Sequence, residues 1–308
     1  MRAVNYVAVV GALLLVGNLH AADTKVGGFV NALYQWKDNG NGAGFGVGDG
    51  AVYINSDIGM CSATVDIPFN STVGSGSLSV GATKAQAYVS HHYNMGVGWK
   101  LGQYDFPMGL EANDANNRVF VQKGIVGTNL LPVVQAGAWI DYAMGAHKLN
   151  LLIGNPVDSG FINSGTPAQF AAIANLALGG LSLDVGFLGQ SAATFSWTVD
   201  AVAKYTMGKL SLGGEFVIKD TNAMGIGALV GFGMTDMMSL DGRFGILRKG
   251  SVDGGAADSA MDIAVGPTFA MSKALKCAIQ YTMRNVTATA GGTATTSHMG
   301  TISANYSF

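Results

Sequence analysis

Apolar and polar residues alternate one by one along most of the chain. Val26, Gly28, Val30, Ala32, Tyr34 and Trp36 share one parity, and so do Cys61, Ala63, Val65, Ile67 and Phe69, with Ser62, Thr64 and Asp66 between the latter. Phe195, Trp197, Val199, Ala201, Ala203 and Tyr205 alternate with Thr194, Ser196, Thr198, Asp200, Val202 and Lys204. Leu275, Cys277, Ile279, Tyr281 and Met283 alternate with Lys276, Ala278, Gln280, Thr282 and Arg284. A period of two sends successive side chains to opposite faces of a strand. The runs approach the length of membrane-crossing strands, about 9–11 residues.

A turn recurs between the runs. Tyr93-Asn94-Met95-Gly96, Tyr142-Ala143-Met144-Gly145 and Tyr205-Thr206-Met207-Gly208 each place an aromatic ring at a strand end, then a tight turn. Glycine supplies the backbone angles such turns need. Longer polar stretches sit at the opposite strand ends, at 37–50, 70–83, 104–131, 155–166, 248–259 and 285–297. One strand between each turn and each loop gives an all-β fold: an antiparallel transmembrane β-barrel of about 16 strands, with short periplasmic turns and longer extracellular loops. The stretch 104–131 has room for another hairpin, so about 14 or about 18 strands remain open.

Charge follows the same parity. Lys25, Asp57, Asp66, Lys100, Asp141, Lys148, Asp200, Glu215, Asp241, Arg243, Asp262, Lys276 and Arg284 fall opposite the apolar stripe. A basic residue on the lipid face near the midplane costs about 2–4 kcal/mol. The inner face is therefore expected to be polar and wet, since about 16 strands leave an aqueous channel. Only 12% of residues are charged, about half the usual soluble share of about 25%. A soluble all-β protein would carry more surface charge.

Residues 1–21 read as a secretory signal peptide, leaving 22–308 as the barrel. Arg2 precedes an apolar stretch from Val7 to Val16, and Leu19-His20-Ala21 offers a cleavage site before Ala22. That stretch is shorter than the about 20 residues a spanning helix needs. Loss of Arg2 leaves 16 basic residues against 19 acidic ones, a near neutrality that argues against a nucleic-acid partner. Cys61 and Cys277 fall on lipid-side faces of strands far apart around the barrel. They are expected to be free. His91 and His92 point to opposite faces and cannot share a metal. Nothing near His298 in the sequence marks a catalytic triad, so no enzyme activity and no metal site are expected.

The last residues close the pattern. Ile302, Ala304, Tyr306 and Phe308 alternate with Thr301, Ser303, Asn305 and Ser307. This ending resembles the C-terminal insertion signal of bacterial outer-membrane barrels. The resemblance implies pairing of the last strand with the first, and recognition by the barrel-assembly machinery. Residues 100–111, Lys-Leu-Gly-Gln-Tyr-Asp-Phe-Pro-Met-Gly-Leu-Glu, resemble the OmpL-like porin family of Gram-negative outer membranes over about a dozen residues. That resemblance implies a passive channel in the outer membrane, without cofactor, for small hydrophilic solutes and ions. In the wider porin class the third long loop folds inward. Here that loop would bring Asp105, Glu111, Asp114 and Arg118 into the pore, opposite a basic wall of Lys25, Arg243, Lys276 and Arg284. Acid on one side and base on the other would set up a transverse field. Small residues at the closure seam (Gly28, Ala32, Gly300, Ala304, Ala85 and Ala87) predict a homotrimer with the seam at its centre. The alternative is a structural or adhesive barrel with little conductance.

Overall fold

The computed structural model describes residues 23–38, 42–71, 78–80, 85–155, 168–191, 195–252, 255–288 and 294–308. The leader expected over 1–21 lies outside them. So do most of the stretch 155–166, residues 72–77 and 81–83 of the second long loop, and Lys84.

Sixteen antiparallel strands close into a barrel. In chain order they are β1 (Asp23–Lys37), β2 (Ala43–Ile58), β3 (Cys61–Ser71), β4 (Gln86–His92), β5 (Val97–Asp105) and β6 (Val134–Met144). Then come β7 (His147–Gly154), β8 (Gln169–Leu178), β9 (Leu181–Gln190), β10 (Ser196–Met207) and β11 (Leu210–Lys219). The last five are β12 (Met224–Gly233), β13 (Met238–Val252), β14 (Gly255–Ala270), β15 (Leu275–Ala288) and β16 (Thr295–Ser307). A three-residue strand, Leu78–Val80, pairs with the outer end of β3. Every barrel strand pairs with its neighbour in sequence, and β16 returns to β1 from Phe29↔Ser307 to Lys37↔Met299. Closure leaves no open strand edge, which is what a bilayer demands of a sheet.

The stretch 104–131 hides no further hairpin, which fixes the strand number. It holds a 3-10 turn, Ala115–Asn117, and a short helix, α1 (Ile125–Leu130). Three stretches expected as loops are largely strand instead. The β1–β2 pairing continues to Trp36↔Ala43, β13 and β14 stay paired to Val252↔Gly255, and β15 runs to Ala288. Glycine and small polar residues there interrupt the apolar stripe but not the hydrogen-bond ladder. The ladder therefore continues beyond the apolar band.

The outer face is apolar. Leu101, Ile140, Leu151, Ile153, Val185, Ile226, Val230 and Ile302 are all exposed on it. Tyr93, Tyr142, Tyr205, Phe232 and Tyr306 are exposed beside the short turns, as a ring of interfacial aromatics requires. Gly96, Gly145 and Gly208 take positive φ in those turns. Among the described residues no helix is long and apolar enough to cross a membrane, and the strands do the crossing.

The seam depends on Gly28. A Cβ there would sit 2.3 Å from the Ala51 carbonyl oxygen and 2.8 Å from the Phe308 ring. The Gly28 and Phe308 backbones exchange hydrogen bonds of 3.0 and 2.9 Å. At this position smallness serves closure of the barrel itself. Ile302, Tyr306 and Phe308 point outward on the closing strand, and Tyr306 stacks on Phe308.

The inner face departs from the uniformly wet lining expected. Trp139, Leu152, Ile173, Leu188, Val217 and Leu247 are buried in one apolar cluster with Phe106, Met108, Ile125, Val126, Leu130 and Leu131 of the long loop. Burying one such side chain is worth about 1.5–3 kcal/mol, so this cluster is a core in its own right. A sealed apolar sector thus occupies the inner wall of β6–β9, β11 and β13.

Candidate functional site

The site is built where the loop 106–133 meets the inner wall. The loop leaves β5 at Asp105 and returns to β6 at Val134. Its ends are joined by the Phe106 N–H donating to the Val133 carbonyl at 2.9 Å. Pro107 and Gly109 keep the outbound limb extended and narrow. Gly109 has a φ of 107°, a region that strains any side chain. Its N–H donates to Asp200 on β10, and the Leu110 N–H donates to Glu215 on β11, both at 2.9 Å.

Glu111 then meets Arg243 of β13 at 3.2 Å. Arg243 also pairs with Asp262 of β14 at 2.9 Å, donates to the Gln122 carbonyl and lies over the Phe120 ring. All three ionic side chains are over 90% buried. The second Glu111 oxygen accepts from the Gly124 N–H at 2.6 Å, which ties the outbound limb to the start of α1. Gly124 opens the helix and Pro132 follows it, the usual punctuation of a short helix. Ile125, Val126 and Leu130 turn one face of α1 into the apolar cluster.

Between these limbs the loop swings to the opposite wall. The Tyr53 hydroxyl of β2 donates to Asp114 at 2.8 Å. Ala115 packs against Phe29 and Ala51. Arg118 pairs with Asp49 of β2 at 3.0 Å, and Lys276 of β15 donates to the Arg118 carbonyl at 2.8 Å. The Val121 N–H donates to Gln280, also on β15, at 3.0 Å. Burial draws the Arg118 guanidinium below its ordinary value, against the pull of Asp49, Glu111 and Asp114.

A second group of carboxylates gathers at the root of the loop. Asp66 on β3 lies directly across the ladder from Tyr53 on β2. Asp66 accepts from the Gln86 amide at 3.0 Å, while the Gln86 oxygen accepts the Asp105 N–H at 2.9 Å. Asp66, Asp105 and Asp114 therefore converge around Tyr53 and Gln86. Lys100 faces the same side and lies 4.3 Å above the Trp139 ring.

The residues singled out in the sequence are thus distributed unevenly. Glu111 and Arg243 are in contact rather than facing one another across water. Lys276 holds the loop backbone, and Arg118 is bound to β2. Arg284 stands across from Asp262 in the β14–β15 ladder. Lys25 sits near Asp23 at the start of β1, exposed and away from the loop. Asp49, Tyr53, Asp66, Gln86, Asp200, Glu215 and Gln280 complete the site. Alternation had assigned several of them to the inner face, but nothing in the sequence placed them at the loop's height.

Outside the lumen, Cys61 and Cys277 are both free, and Cys61 Sγ lies 3.0 Å from His91 Nδ1 on the outer surface. His298 Nδ1 lies 2.5 Å from the Tyr281 hydroxyl, and the His298 N–H donates to Asp38 at 2.8 Å. These contacts clamp the outer end of the seam between β1, β15 and β16. Among the described residues no group of three or more His, Cys, Asp or Glu could hold a metal ion.

A closed 16-strand antiparallel barrel with its longest described loop folded against the inner wall is the architecture of outer-membrane porins. Solved structures agree on the fold. The outer membrane channel DcaP of Acinetobacter baumannii has a TM-score of 0.65 at 13% identity, over 94% of this chain and 98% of that one. The anion-selective porin from Comamonas acidovorans gives 0.62 at 12% identity, over 94% and 100%. The trimer form of Vibrio cholerae OmpT, an outer membrane protein, gives 0.62 at 13% identity, over 94% and 100%. No family model matches the chain, and no curated protein matches it. The likeness to OmpL-like porins at residues 100–111 therefore remains a likeness of about a dozen residues.

Proposed function

We propose that this protein is an outer-membrane porin, a passive channel for small hydrophilic solutes and ions, narrowed by the loop after β5. The observation that carries the reading is the loop itself. Its hydrogen bonds and ion pairs reach β2, β10, β11, β13 and β15 on the inner wall of one closed barrel. A segment bonded to so many strands from inside must share the lumen with whatever passes.

The apolar cluster seals the β6–β9 sector, and Arg243 with Glu111 and Asp262 closes the sector around β13 and β14. This reading assigns the solute path to the β2–β5 side, past the half-buried Asp105 and Asp114. This path carries net negative charge and prefers cations. The Comamonas porin with the same fold is anion-selective. Charge preference is a property of the lining and not of the barrel.

Export by the 1–21 leader, recognition of Ile302, Ala304, Tyr306 and Phe308 by the assembly machinery, and a homotrimer packed about the seam belong to the same proposal. The protein acts without a cofactor and without catalysis. Purified protein in a planar bilayer tests the reading: ohmic steps with a reversal potential on the cation side are expected. A tight seal across many insertions would overturn the channel in favour of a structural barrel. Mass in mild detergent tests the trimer separately.

A further inference from the structure

A cavity of about 360 Å³ lies beside the loop, at the edge of the apolar cluster and next to Val133 at the loop's return. It opens at the end of the barrel that carries the longer loops. One side is the end of α1 and the segment after it, from Thr128 to Val133. The other side is the inner wall of β8–β11. Two ladder rows shape that wall. Gln169, Gln190 and Ser196 are consecutive partners across β8, β9 and β10. One step deeper, Leu188, Thr198 and Lys219 are consecutive partners across β9, β10 and β11.

The chemistry of this lining is distinct from that of the acidic path. Three side-chain amides (Asn129, Gln169 and Gln190) and three hydroxyls (Thr128, Ser196 and Thr198) border one space. Each can both donate and accept, with the Asn129 amide already donating to the Ile125 carbonyl and the Thr128 hydroxyl to the Lys123 carbonyl. Lys219 and Asp220 sit side by side and compensate each other's charge. Leu130 and Leu188, both in the apolar cluster, provide a dry floor. The volume falls at the lower end of small-molecule sites, about 300–1,000 Å³. Paired donors and acceptors, no net charge and an apolar floor fit a molecule with many hydroxyls on a compact hydrocarbon ring.

We propose that this cavity is a binding subsite for uncharged polyhydroxylated solutes, sugars of one to two rings, at the mouth of the channel. The proposal rests on the porin reading for the route by which the sugar moves on, but binding itself does not. Gln190 and Thr198 supply the polar edge, and Leu188 lies against the ring's C–H face. The sugar is held at the rim before it reaches the carboxylates.

Maltose is the probe, and two measurements on the full-length protein separate the claims. Calorimetric titration of detergent-solubilised protein should give saturable binding. In a planar bilayer, maltose should reduce a pre-recorded salt current along the same saturation curve. Gln190→Ala/Thr198→Ala should weaken both apparent affinities at least tenfold and leave the maltose-free conductance within a factor of two. Heat-modifiable migration on a gel establishes that the variant barrel is folded. Should that variant not fold, Asn129→Ala, off the barrel wall, is expected to weaken binding at least threefold. A wild-type current that falls only as bulk viscosity predicts, with no calorimetric binding, overturns the subsite. Variants that titrate like the wild type also overturn it. Saturable binding of alanine but not maltose would assign the Lys219–Asp220 edge to a zwitterion and overturn the sugar assignment. Maltose binding without any conductance would sink the porin reading and leave the subsite standing.

Discussion

The loop is held to the two walls of the lumen by different sets of contacts. On the β13 side, Glu111, Arg243 and Asp262 form a buried three-membered ion cluster beside an apolar core. On the β2 side Arg118 pairs with Asp49, but Asp114 is held by a phenol, with no cation among the described residues in contact with it. Arg243, with Arg284 across the ladder from Asp262, compensates both carboxylates, so little of their field reaches the lumen. A half-exposed carboxylate such as Asp114, met by a neutral donor, can present its charge to the lumen. The first arrangement anchors a loop, and the second leaves charge available to a passing ion. Position relative to the loop, more than the count of acidic residues, separates anchor from path.

The largest test of this contrast removes the bridge between the two sides. Deleting 112–120 takes away Asp114, Arg118 and the Phe120 ring together. Conductance should rise about twofold or more and larger sugars should enter, because the segment vacates lumen volume. Liposome swelling with a size series of sugars measures it. Unchanged exclusion would place the conducting path outside the loop's reach.

Arg243→Ala breaks only the anchor. It leaves Asp262 and Glu111 buried without their shared cation, a loss of about 3–5 kcal/mol. The loop should loosen at α1, the temperature of heat-modifiable unfolding should fall, and single-channel current should become noisy. Arg243→Lys should not restore the wild type, since one ammonium cannot span Glu111, Asp262 and the Gln122 carbonyl as the guanidinium does. Full rescue by lysine would mean that charge alone suffices.

Much of this architecture is legible in the alternation. The parity of Phe195–Tyr205 places Asp200 and Lys204 inside, and the ending Ile302-Ser303-Ala304-Asn305-Tyr306 places the seam. The inward course of 104–131 is an implication of the likeness to the porin class and not of its own residues. Three features were not readable. Inward apolar residues such as Trp139, Leu152 and Leu188 carry no mark that separates them from tolerated exceptions to a polar lining, because their partner is a separate loop whose packing against them the alternation does not encode. The height of a charge along its strand depends on barrel stagger, which parity does not encode. For that reason Lys25 and Arg243 look alike in the sequence and lie far apart in their contacts. The smallness of Gly28 reads equally as a subunit contact or as room for the Ala51 carbonyl, and only the latter distance is short.

Selectivity gives a more selective test. Asp105→Asn together with Asp114→Asn should lower the cation-to-anion permeability ratio about threefold, as two charges leave a focused field. Glu111→Gln should change it far less, because Arg243 already neutralises that carboxylate. Reversal potentials in a salt gradient compare the two. Equal effects from both would erase the distinction between anchor and path.

The smallest change expected is at Tyr53. Phenylalanine keeps the ring, which packs beside Phe29 with centroids 6.1 Å apart, and removes only the hydroxyl that donates to Asp114. A hydrogen bond to a charged group contributes about 1.5–3 kcal/mol. Tyr53→Phe should therefore leave the barrel and its exclusion limit intact, because Arg118–Asp49 and Lys276 still hold the following turn. Asp114 should move more freely. Cation preference should persist, since the charge is retained, while open-channel noise should rise modestly. A loss of preference as large as that of the Asp105/Asp114 double variant would show that the phenol, and not the carboxylate, sets the field. The β2 side would then be a structural attachment like the β13 side, and the contrast between the two walls would disappear.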